Sequence, residues 1–407
     1  MITLATFFFE IKKDRSFNLK NCMTKLYGKT IPIIALLFFA FLGSNSVIFA
    51  ASGKNEDEKF KPETFIFDHI VDSYGWHITT FKGHHIGIPL PVILIDDGEF
   101  VCFSSSRLHS GTAAYKGYMI SDSGPRKGKI VKLKDSDFTG HIESGEIYEI
   151  NEDANLWDFS ITKNVCSLFI SIILICVLFI SVAKAYKKRE GKAPKGLQTA
   201  MEILILFIRD DVAKPSLGKN YLKYFPYLLT LFFFIFINNL MGLIPIFPGG
   251  ANLTGNIAVT GTLALITLLI ILFSSKKVYW AHIFNTPGVP WWLKIPVPLM
   301  PAVEFISVFT KPFVLMVRLF ANITAGHIIV LGFIGLIFIF GEMSPALGAV
   351  TSVFSVFFYL FMCLLELVVA FVQAFVFTLL TAIFVGMAAE DSHEVEHESQ
   401  NLKKSPH

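Results

Sequence analysis

Long apolar runs fill the second part of this chain, and polar, turn-rich sequence fills the part before it. Nearly all the long apolar runs lie between positions 164 and 389, whereas residues 52–158 alternate short apolar stretches with Gly, Ser, Asp and Pro. A helix needs about 20 mostly apolar residues to cross the hydrocarbon core of a bilayer, and several segments reach that length. The pattern predicts an integral membrane protein with a small β-rich domain at 52–158.

About five membrane helices follow from the apolar pattern, and the predicted fold class is an all-α polytopic membrane protein. The three ordinary spans cover residues 161–183, 224–244 and 256–275. Residues 196–211 place apolar residues at helical spacing beside Glu202, Arg209 and Asp210, which is typical of a helix lying along the membrane surface.

The last two helices are longer than a simple span requires. Residues 301–340 and 345–389 are separated by a Gly- and Pro-containing break at 341–345. At 1.5 Å per residue each helix is about 60 Å long, about twice the hydrocarbon thickness. The two helices are therefore expected to form a strongly tilted antiparallel hairpin.

The sequence before the first span predicts export. Within residues 1–51, Lys25 and Lys29 precede an apolar core at 31–42 and a small-residue cleavage site near 50–51, which is typical of a signal segment; retention as a first membrane helix is the alternative. The basic cluster at 184–195 places that end of the first span in the cytoplasm. Residues 52–158 are then extracytoplasmic, 159–390 form the membrane domain, and 391–407 form a cytoplasmic tail.

Composition and charge narrow the function classes. Hydrophobic residues make up 53% of the 407 positions and charged residues 16%, so a soluble protein is excluded. Residues 52–158 hold 11 Lys and Arg against 18 Asp and Glu, which gives them a net charge of −7. Because the whole chain carries +3, the remaining residues carry +10. That positive charge lies beside the apolar spans, so nucleic acid is not an expected partner.

All the intramembrane charge lies on the two long helices. Glu304, Lys311 and Arg318 recur every seven residues and form a stripe that drifts only about 20° per heptad. An ionisable group near mid-membrane costs from about 2.5 to more than 10 kcal/mol, so such residues usually line an aqueous path or face a partner charge.

The hairpin places two pairs of polar residues at common levels. Arg318 with Gln373, and His327 with Glu366, are both centred near position 346, where the predicted turn falls. Arg318 carries a permanent positive charge, and the amide of Gln373 could orient it. His327 and Glu366 can gain and lose protons. The combination predicts proton conduction interrupted by an electrostatic gate.

Structural interpretations of the same residues remain open. Arg318 could pair with Glu304, and His327 with Glu366 could form only an interhelical hydrogen bond. Gln373 alone would be a helix-packing residue. Lys311 precedes Pro312 and is expected to mark a helix distortion or to extend towards the inner surface rather than to gate.

No metal site or cofactor is expected. The segment His-Glu-Val-Glu-His at 393–397 matches the zinc-protease pattern, but it lies in a polar tail without the packed helix and third ligand that the metal requires. Six of the eleven histidines lie in 52–158, including His84 and His85, and solvated or packed roles are expected for them. The five cysteines show no metal-ligand spacing.

Residues 318–327, Arg-Leu-Phe-Ala-Asn-Ile-Thr-Ala-Gly-His, resemble the arginine motif of the ATP synthase subunit a family, and further matches occur at 238–245, 256–260 and 373–377. The resemblance covers about 160–390, and the extended N-terminal region is similar to that of some bacterial members. It implies a subunit without a catalytic site of its own, located in the bacterial inner membrane. Its implied partners are a ring of small hairpin subunits with buried carboxylates, a peripheral-stalk subunit, the rest of the synthase and the lipid bilayer.

The resemblance also implies roles for individual residues. Arg318 would force each passing ring carboxylate to ionise and would block a direct leak between two proton half-channels. The residues at positions that the family associates with those channels are Glu304, Asn322, His327, Glu366 and Gln373.

The chain departs from the family pattern at two places. Many bacterial relatives have glutamate at the position of His327 and histidine at that of Glu366. The exchange keeps an acid–imidazole pair at one level, so function is expected to survive with an altered pH dependence. Ala321 replaces a common glycine. Rival classes are an independent ion-coupled transporter or channel, an intramembrane or zinc protease, and an anchored binding module. Protons are the expected coupling ion, although the ring largely decides that choice.

Overall fold

The computed structural model describes residues 71–389 with internal gaps. The described ranges are 71–81, 84–121, 126–134, 138–141, 149–151, 154, 156–188, 195–244, 249–284 and 299–389. The predicted signal segment 1–51, the predicted tail 391–407 and the His-Glu-Val-Glu-His segment lie outside them.

Short strands make up the region before the first helix. In the described residues they are β1 (Gly75–Phe81), β2 (His84–Pro89), β3 (Pro91–Asp96), β4 (Glu99–Ser104), β5 (Ala113–Ala114), β6 (Tyr118–Ile120), β7 (Ile130–Lys132), β8 (Gly140–His141) and β9 (Leu156–Asp158). They form one three-stranded sheet, ordered β4-β3-β9, and the two-stranded pairs β1-β2, β5-β8 and β6-β7. Residues Thr79–Ile86 form one compact unit, and the remaining described residues form the other. The predicted β-rich region is confirmed.

The β3–β4 hairpin follows directly from its sequence. Asp97 and Gly98 connect the strands with φ angles of 48° and 93°, as a two-residue turn with a left-handed backbone requires. Val92 and Leu94 alternate with more exposed residues along β3 and are fully buried. They pack against a core that includes Tyr74.

Asp96 ties this sheet to the neighbouring strand pair. Its Oδ2 lies 2.6 Å from Lys132 Nζ on β7 and accepts a hydrogen bond of 2.7 Å from the Tyr118 hydroxyl on β6. Burial would raise the pKa of Asp96, but the hydrogen bonds from Lys132 and Tyr118 outweigh it and hold that pKa below its usual value. The carboxylate therefore stays charged and links three strands near neutral pH.

Helices make up the rest of the described chain. They are α1 (Lys163–Lys188), α2 (Leu197–Phe207), α3 (Lys214–Leu217), α4 (Tyr221–Leu243), α5 (Ile257–Ser274), α6 (Lys277–Phe284), α7 (Leu299–Met343) and α8 (Pro345–Ala389), with a π-helical turn at Ile208–Ala213 between α2 and α3. Five helical stretches of the described chain are long and apolar enough to cross a membrane. The predicted all-α polytopic fold class is confirmed.

The predicted surface helix and the second span belong to one nearly continuous helical stretch, although the sequence predicted them as separate segments. The apolar helical stretch runs from Leu197 to Leu243, and Gly218 interrupts it with a φ of 52°. Only a residue without a Cβ adopts that angle at little cost. The position of α2 along the membrane surface stays a prediction.

The two long helices extend as far as the sequence predicted. α7 and α8 each contain 45 residues and are joined at Ser344. Pro312 lies inside α7 without ending it. At the turn, a Cβ on Gly348 would lie 2.8 Å from the Gly341 Cα. The closest packing at this end of the hairpin therefore depends on glycine.

The core of the membrane region surrounds α4. Phe232, Phe233 and Ile235 of α4 are fully buried, as is Phe377 of α8, and Phe232 also meets the Phe371 ring edge-on with centroids 5.9 Å apart. Aromatic packing therefore holds α8 against α4 and fixes the face that α8 turns towards α7.

The approach of α8 to α3 gives a testable prediction. A Cβ at Gly386 would lie 2.0 Å from the Ser216 carbonyl oxygen, whereas a Cβ at Gly332 would meet nothing within 4 Å. We expect Gly386→Ala to destabilise the protein by about 1–3 kcal/mol through overpacking. Gly332→Ala should be neutral or slightly stabilising, because alanine is favoured over glycine in a helix. Thermal aggregation midpoints in detergent measure both; equal midpoints would contradict the packing described.

Candidate functional site

The structure brings His327 and Glu366 together between the two long helices. His327 Nδ1 lies 3.8 Å from Glu366 Oε1, which is too long for a hydrogen bond. Glu366 is only 5% exposed, so a charge on either side chain would act strongly on the other. The acid–imidazole pair lies at one level of the hairpin, between α7 and α8.

Two glycines make room for this pair. A Cβ at Gly326 would lie 2.7 Å from Glu366 Oε1, and a Cβ at Gly242 would lie 3.4 Å from His327 Nε2. The carbonyl oxygen of Ala251 would be 3.7 Å from that second Cβ. The imidazole therefore sits against α4 and the loop after it, and the carboxylate sits directly on the backbone of α7.

Polar atoms collect on the helices around the pair. Asn239 Nδ2 donates to the Ala370 carbonyl on α8 over 3.2 Å, one turn beyond Glu366. Within the described residues of α4, α8 and the loop after α4, several buried polar atoms make no hydrogen bond; they include Asn238 Oδ1, Asn239 Oδ1, Asn252 Nδ2 and Glu366 Oε1. Buried polar atoms are normally satisfied by protein or water. This part of the bundle is therefore suited to hydration.

Arg318 lies on the opposite side of α7. It precedes His327 by nine residues, which is two and a half helical turns and about 13 Å along the axis. Its side chain is exposed, as are Ala321 and Ala325 on the following turns. Among the described residues, Arg318 is involved in no hydrogen bond or ion pair. A fixed positive charge therefore faces outward from the hairpin.

Gln373 forms no hydrogen bond with the arginine in the part of the chain that the structure describes. It is buried, with 8% of its surface exposed. Asn322 is exposed on the same side of α7 as Arg318. Of the two pairs predicted at common levels, His327 and Glu366 lie 3.8 Å apart, whereas Arg318 and Gln373 form no hydrogen bond in the described residues.

The other two charges of the stripe lie towards the first part of α7. Glu304 is 14 residues before Arg318, about 21 Å along the helix, so the two do not form an ion pair. Burial, followed by the charge of Glu304, raises the pKa of Tyr279 on α6. Lys311 Nζ lies 5.3 Å from the centre of the Phe384 ring on α8, a cation–π contact.

Sequence reasoning missed two residues of this site, and it also missed the burial of two residues at the start of α1. Gly326 and Gly242 contact the pair closely, but only the packed hairpin reveals that. Lys163 and Asn164 at the start of α1 are buried, although at the sequence level Lys163 looks like an ordinary basic residue flanking a span. The two adjacent amides Asn238 and Asn239 in an apolar span were the one available signal.

The fold and the site together define a polytopic membrane protein with ionisable groups inside its helix hairpin. The chain belongs to the ATP synthase A chain family, because the sequence model of that family matches residues 165–386. A second family model, for a domain of unknown function (DUF8433), matches residues 65–159.

Relatives named ATP synthase subunit a extend this similarity. The protein from Chloroherpeton thalassium is 43% identical over 245 residues, covering 58% of this chain and 69% of the relative. The protein from Chlorobium phaeobacteroides (strain DSM 266) is 38% identical over 299 residues, covering 72% of this chain and 83% of the relative. A Chlorobaculum tepidum protein, ATP synthase subunit a 2, is 44% identical over 263 residues, covering 62% and 71%.

The contact between Gly326 and Glu366 can be tested in the purified protein. We expect Gly326→Ala to displace the carboxylate, because a Cβ there would lie 2.7 Å from Oε1, and so to shift the infrared carboxyl band of Glu366. That band is identified by its loss in Glu366→Gln. Gly332→Ala, which meets nothing within 4 Å, should leave the band in place. An unchanged band in Gly326→Ala would contradict the geometry of the pair.

Proposed function

We propose that this chain is the proton-conducting stator subunit of a rotary ATP synthase. Its family membership supports that class of function, and nucleotide chemistry would belong to other subunits. The proposed partners are a ring of small membrane hairpins with buried carboxylates, a peripheral-stalk subunit and the remaining synthase subunits.

The position of Arg318 is the observation that supports this proposal most strongly. A charged side chain at mid-span is costly when it faces lipid. Arg318 is exposed in the isolated chain, and the neighbouring positions Ala321 and Ala325 carry only small side chains. A helix bearing a carboxylate can approach such a surface closely and supply the missing counter-charge. A ring of carboxylate-bearing hairpins has the required chemistry.

The acid–imidazole pair supplies groups that exchange protons. His327 and Glu366 are both titratable and lie 3.8 Å apart in a buried, amide-lined part of the bundle. Protons would reach this pair through ordered water bound to the nearby amides. The pair would then deliver them to ring carboxylates on one side of Arg318.

The permanent positive charge of Arg318 accounts for how proton flow past the pair would drive rotation of the ring. Arginine does not lose its proton in proteins, so Arg318 cannot relay one. A protonated ring carboxylate that approached it would ionise and release its proton towards the other half-channel. Each elementary charge that crosses the membrane field is worth about 2.3 kcal/mol per 100 mV, so several protons must combine for each ATP.

The arrangement in the membrane follows from charge. Basic residues at the end of α1, including Lys187 and Lys188, favour a cytoplasmic position for that end. We therefore place residues 52–158 outside the cytoplasm of a bacterial cell, 159–390 in its inner membrane and 391–407 inside, with a signal segment at 1–51.

An independent transporter is supported less well. A secondary transporter places its binding groups inward, at discontinuous helices near the midplane. Here α7 and α8 are continuous helices, and Arg318 faces outward. This arrangement fits a subunit that acts against a second protein.

Removal of the arginine tests the proposal directly. We expect Arg318→Ala to abolish voltage-driven ATP synthesis in vesicles that carry the assembled complex and to raise the passive proton leak, because the electrostatic barrier is lost. Arg209→Ala is the matched control, since Arg209 lies near α2 and pairs with Asp210; it should retain synthesis. Unchanged synthesis in Arg318→Ala, with normal assembly, would remove the arginine from the mechanism.

Exchange of the pair tests its role in proton transfer. Glu366→His creates two facing imidazoles and His327→Glu two facing carboxylates, and each should reduce synthesis about tenfold, because coupling between contacting groups is on the order of 1 kcal/mol. The double exchange restores one acid and one imidazole and should recover most of the rate at a shifted pH. Additive losses in the double variant would show that the two residues act independently.

A further inference from the structure

One face of the three-stranded sheet is apolar and exposed. Along β3, Ile93 and Ile95 lie on the face opposite the buried Leu94. The strand register places Phe100 of β4 and Trp157 of β9 on either side of Ile95. Phe100 is 70% exposed and Trp157 is 58% exposed. The three strands therefore present a row of large apolar side chains on what we call the outer sheet face.

A second row extends this face. Cys102 of β4 is exposed and pairs with Ile93, and Phe159 donates its backbone N–H to the Ile93 carbonyl over 2.9 Å. The rings of Phe159 and Trp157 stack with centroids 6.5 Å apart. Within the described residues the outer sheet face carries no charged side chain; its members are Pro91, Ile93, Ile95, Phe100, Cys102, Ser104, Trp157 and Phe159. A continuous exposed apolar patch of this kind marks a surface that contacts protein or membrane.

The sheet joins α1 without a linker. Beyond β9 the chain stays bonded to β3, because the Ile161 N–H donates to the Pro91 carbonyl over 3.1 Å. α1 then begins at Lys163, and it is one of the helices that are long and apolar enough to cross a membrane. Four residues of extended chain reach about 14 Å at most, so Phe159 lies within that distance of the start of α1. The outer sheet face is therefore held beside the point where the chain enters the bilayer.

We propose that the outer sheet face is a lipid-binding surface that lies on the bilayer beside the start of α1, with Phe100, Trp157 and Phe159 among the lipid headgroups. Aromatic side chains are favoured at that level of a membrane, where their apolar rings leave water without entering the hydrocarbon core. The inference goes beyond proton conduction. It requires only that α1 spans the membrane and does not depend on the proposed stator role.

A lipid surface fits this face better than a protein partner does. Protein interfaces surround their apolar centre with a polar rim that supplies hydrogen bonds, whereas the polar side chains of this face are limited to Cys102 and Ser104. A bilayer surface is also present beside the start of any span, so this occupant requires no further subunit.

Spin labels measure the contact in the full chain. The native cysteines are replaced by alanine, a nitroxide is attached at Phe100→Cys, and the protein is reconstituted in vesicles of phosphatidylethanolamine and phosphatidylglycerol. Collisions with oxygen, which partitions into lipid, are compared with collisions with a water-soluble nickel complex. We expect the oxygen-to-nickel ratio to be severalfold higher at position 100 than at Lys127→Cys. Lys127 is an exposed control between β6 and β7, which pack against the inner side of the sheet through Tyr118 and Ile130.

Removal of the neighbouring rings tests the same contact without moving the label. Trp157→Ser combined with Phe159→Ser should lower the ratio at position 100, because both side chains are exposed and their loss leaves the buried core intact. Phe284→Ser removes a ring that is 60% exposed on α6 and should leave the ratio unchanged.

Two results would overturn the proposal. Equal ratios at positions 100 and 127 would place the outer sheet face in water. Protection of position 100 from both reagents would mean that protein covers it: a second copy if the protection occurs in vesicles of this chain alone, and another subunit if it occurs only in the assembled complex.

Discussion

The cost of placing charge within the membrane governs this structure. Each ionisable group near mid-span requires a counter-charge, water or a route to the surface, and the hairpin of α7 and α8 carries several such groups. His327 and Glu366 face each other inside the bundle, 3.8 Å apart, so each can act as the counter-charge of the other. Arg318 faces outward. That division on one helix leaves the acid–imidazole pair buried and, under the proposed function, presents Arg318 to the ring.

Close backbone packing makes the division possible. Gly326 brings α7 against the Glu366 carboxylate, and Gly386 brings α8 against α3. Buried phenylalanines on α4 hold α8 from the other side. The pair is therefore fixed by rigid helices rather than by loops, while α7 presents Arg318 at the same time. The segment before β1 is joined to the start of α1, because Asp72 accepts a hydrogen bond from the backbone N–H of Asn164.

The sequence predicted the features that depend on helix length, periodicity and charge. Apolar runs set the number of spans, and the break at 341–345 set the register that brings His327 level with Glu366. It did not predict the approach of Gly326 to the carboxylate or the burial of Lys163, because both depend on packing between distant segments. The sequence placed Gln373 where its amide could orient Arg318, and the described residues show no hydrogen bond between them; a common level on two helices does not fix which way each side chain points. The residue roles remain proposals.

The claim that α7 presents Arg318 to a ring of carboxylate-bearing hairpins can be tested most directly by photo-crosslinking. A photoreactive amino acid at Val317, which is 39% exposed next to the arginine, would be activated in the assembled complex. The same group at Phe169 on α1, 54% exposed, serves as the comparison. An adduct to a small hairpin subunit from position 317 and not from 169 is the predicted result. Adducts to lipid alone from position 317 would contradict it.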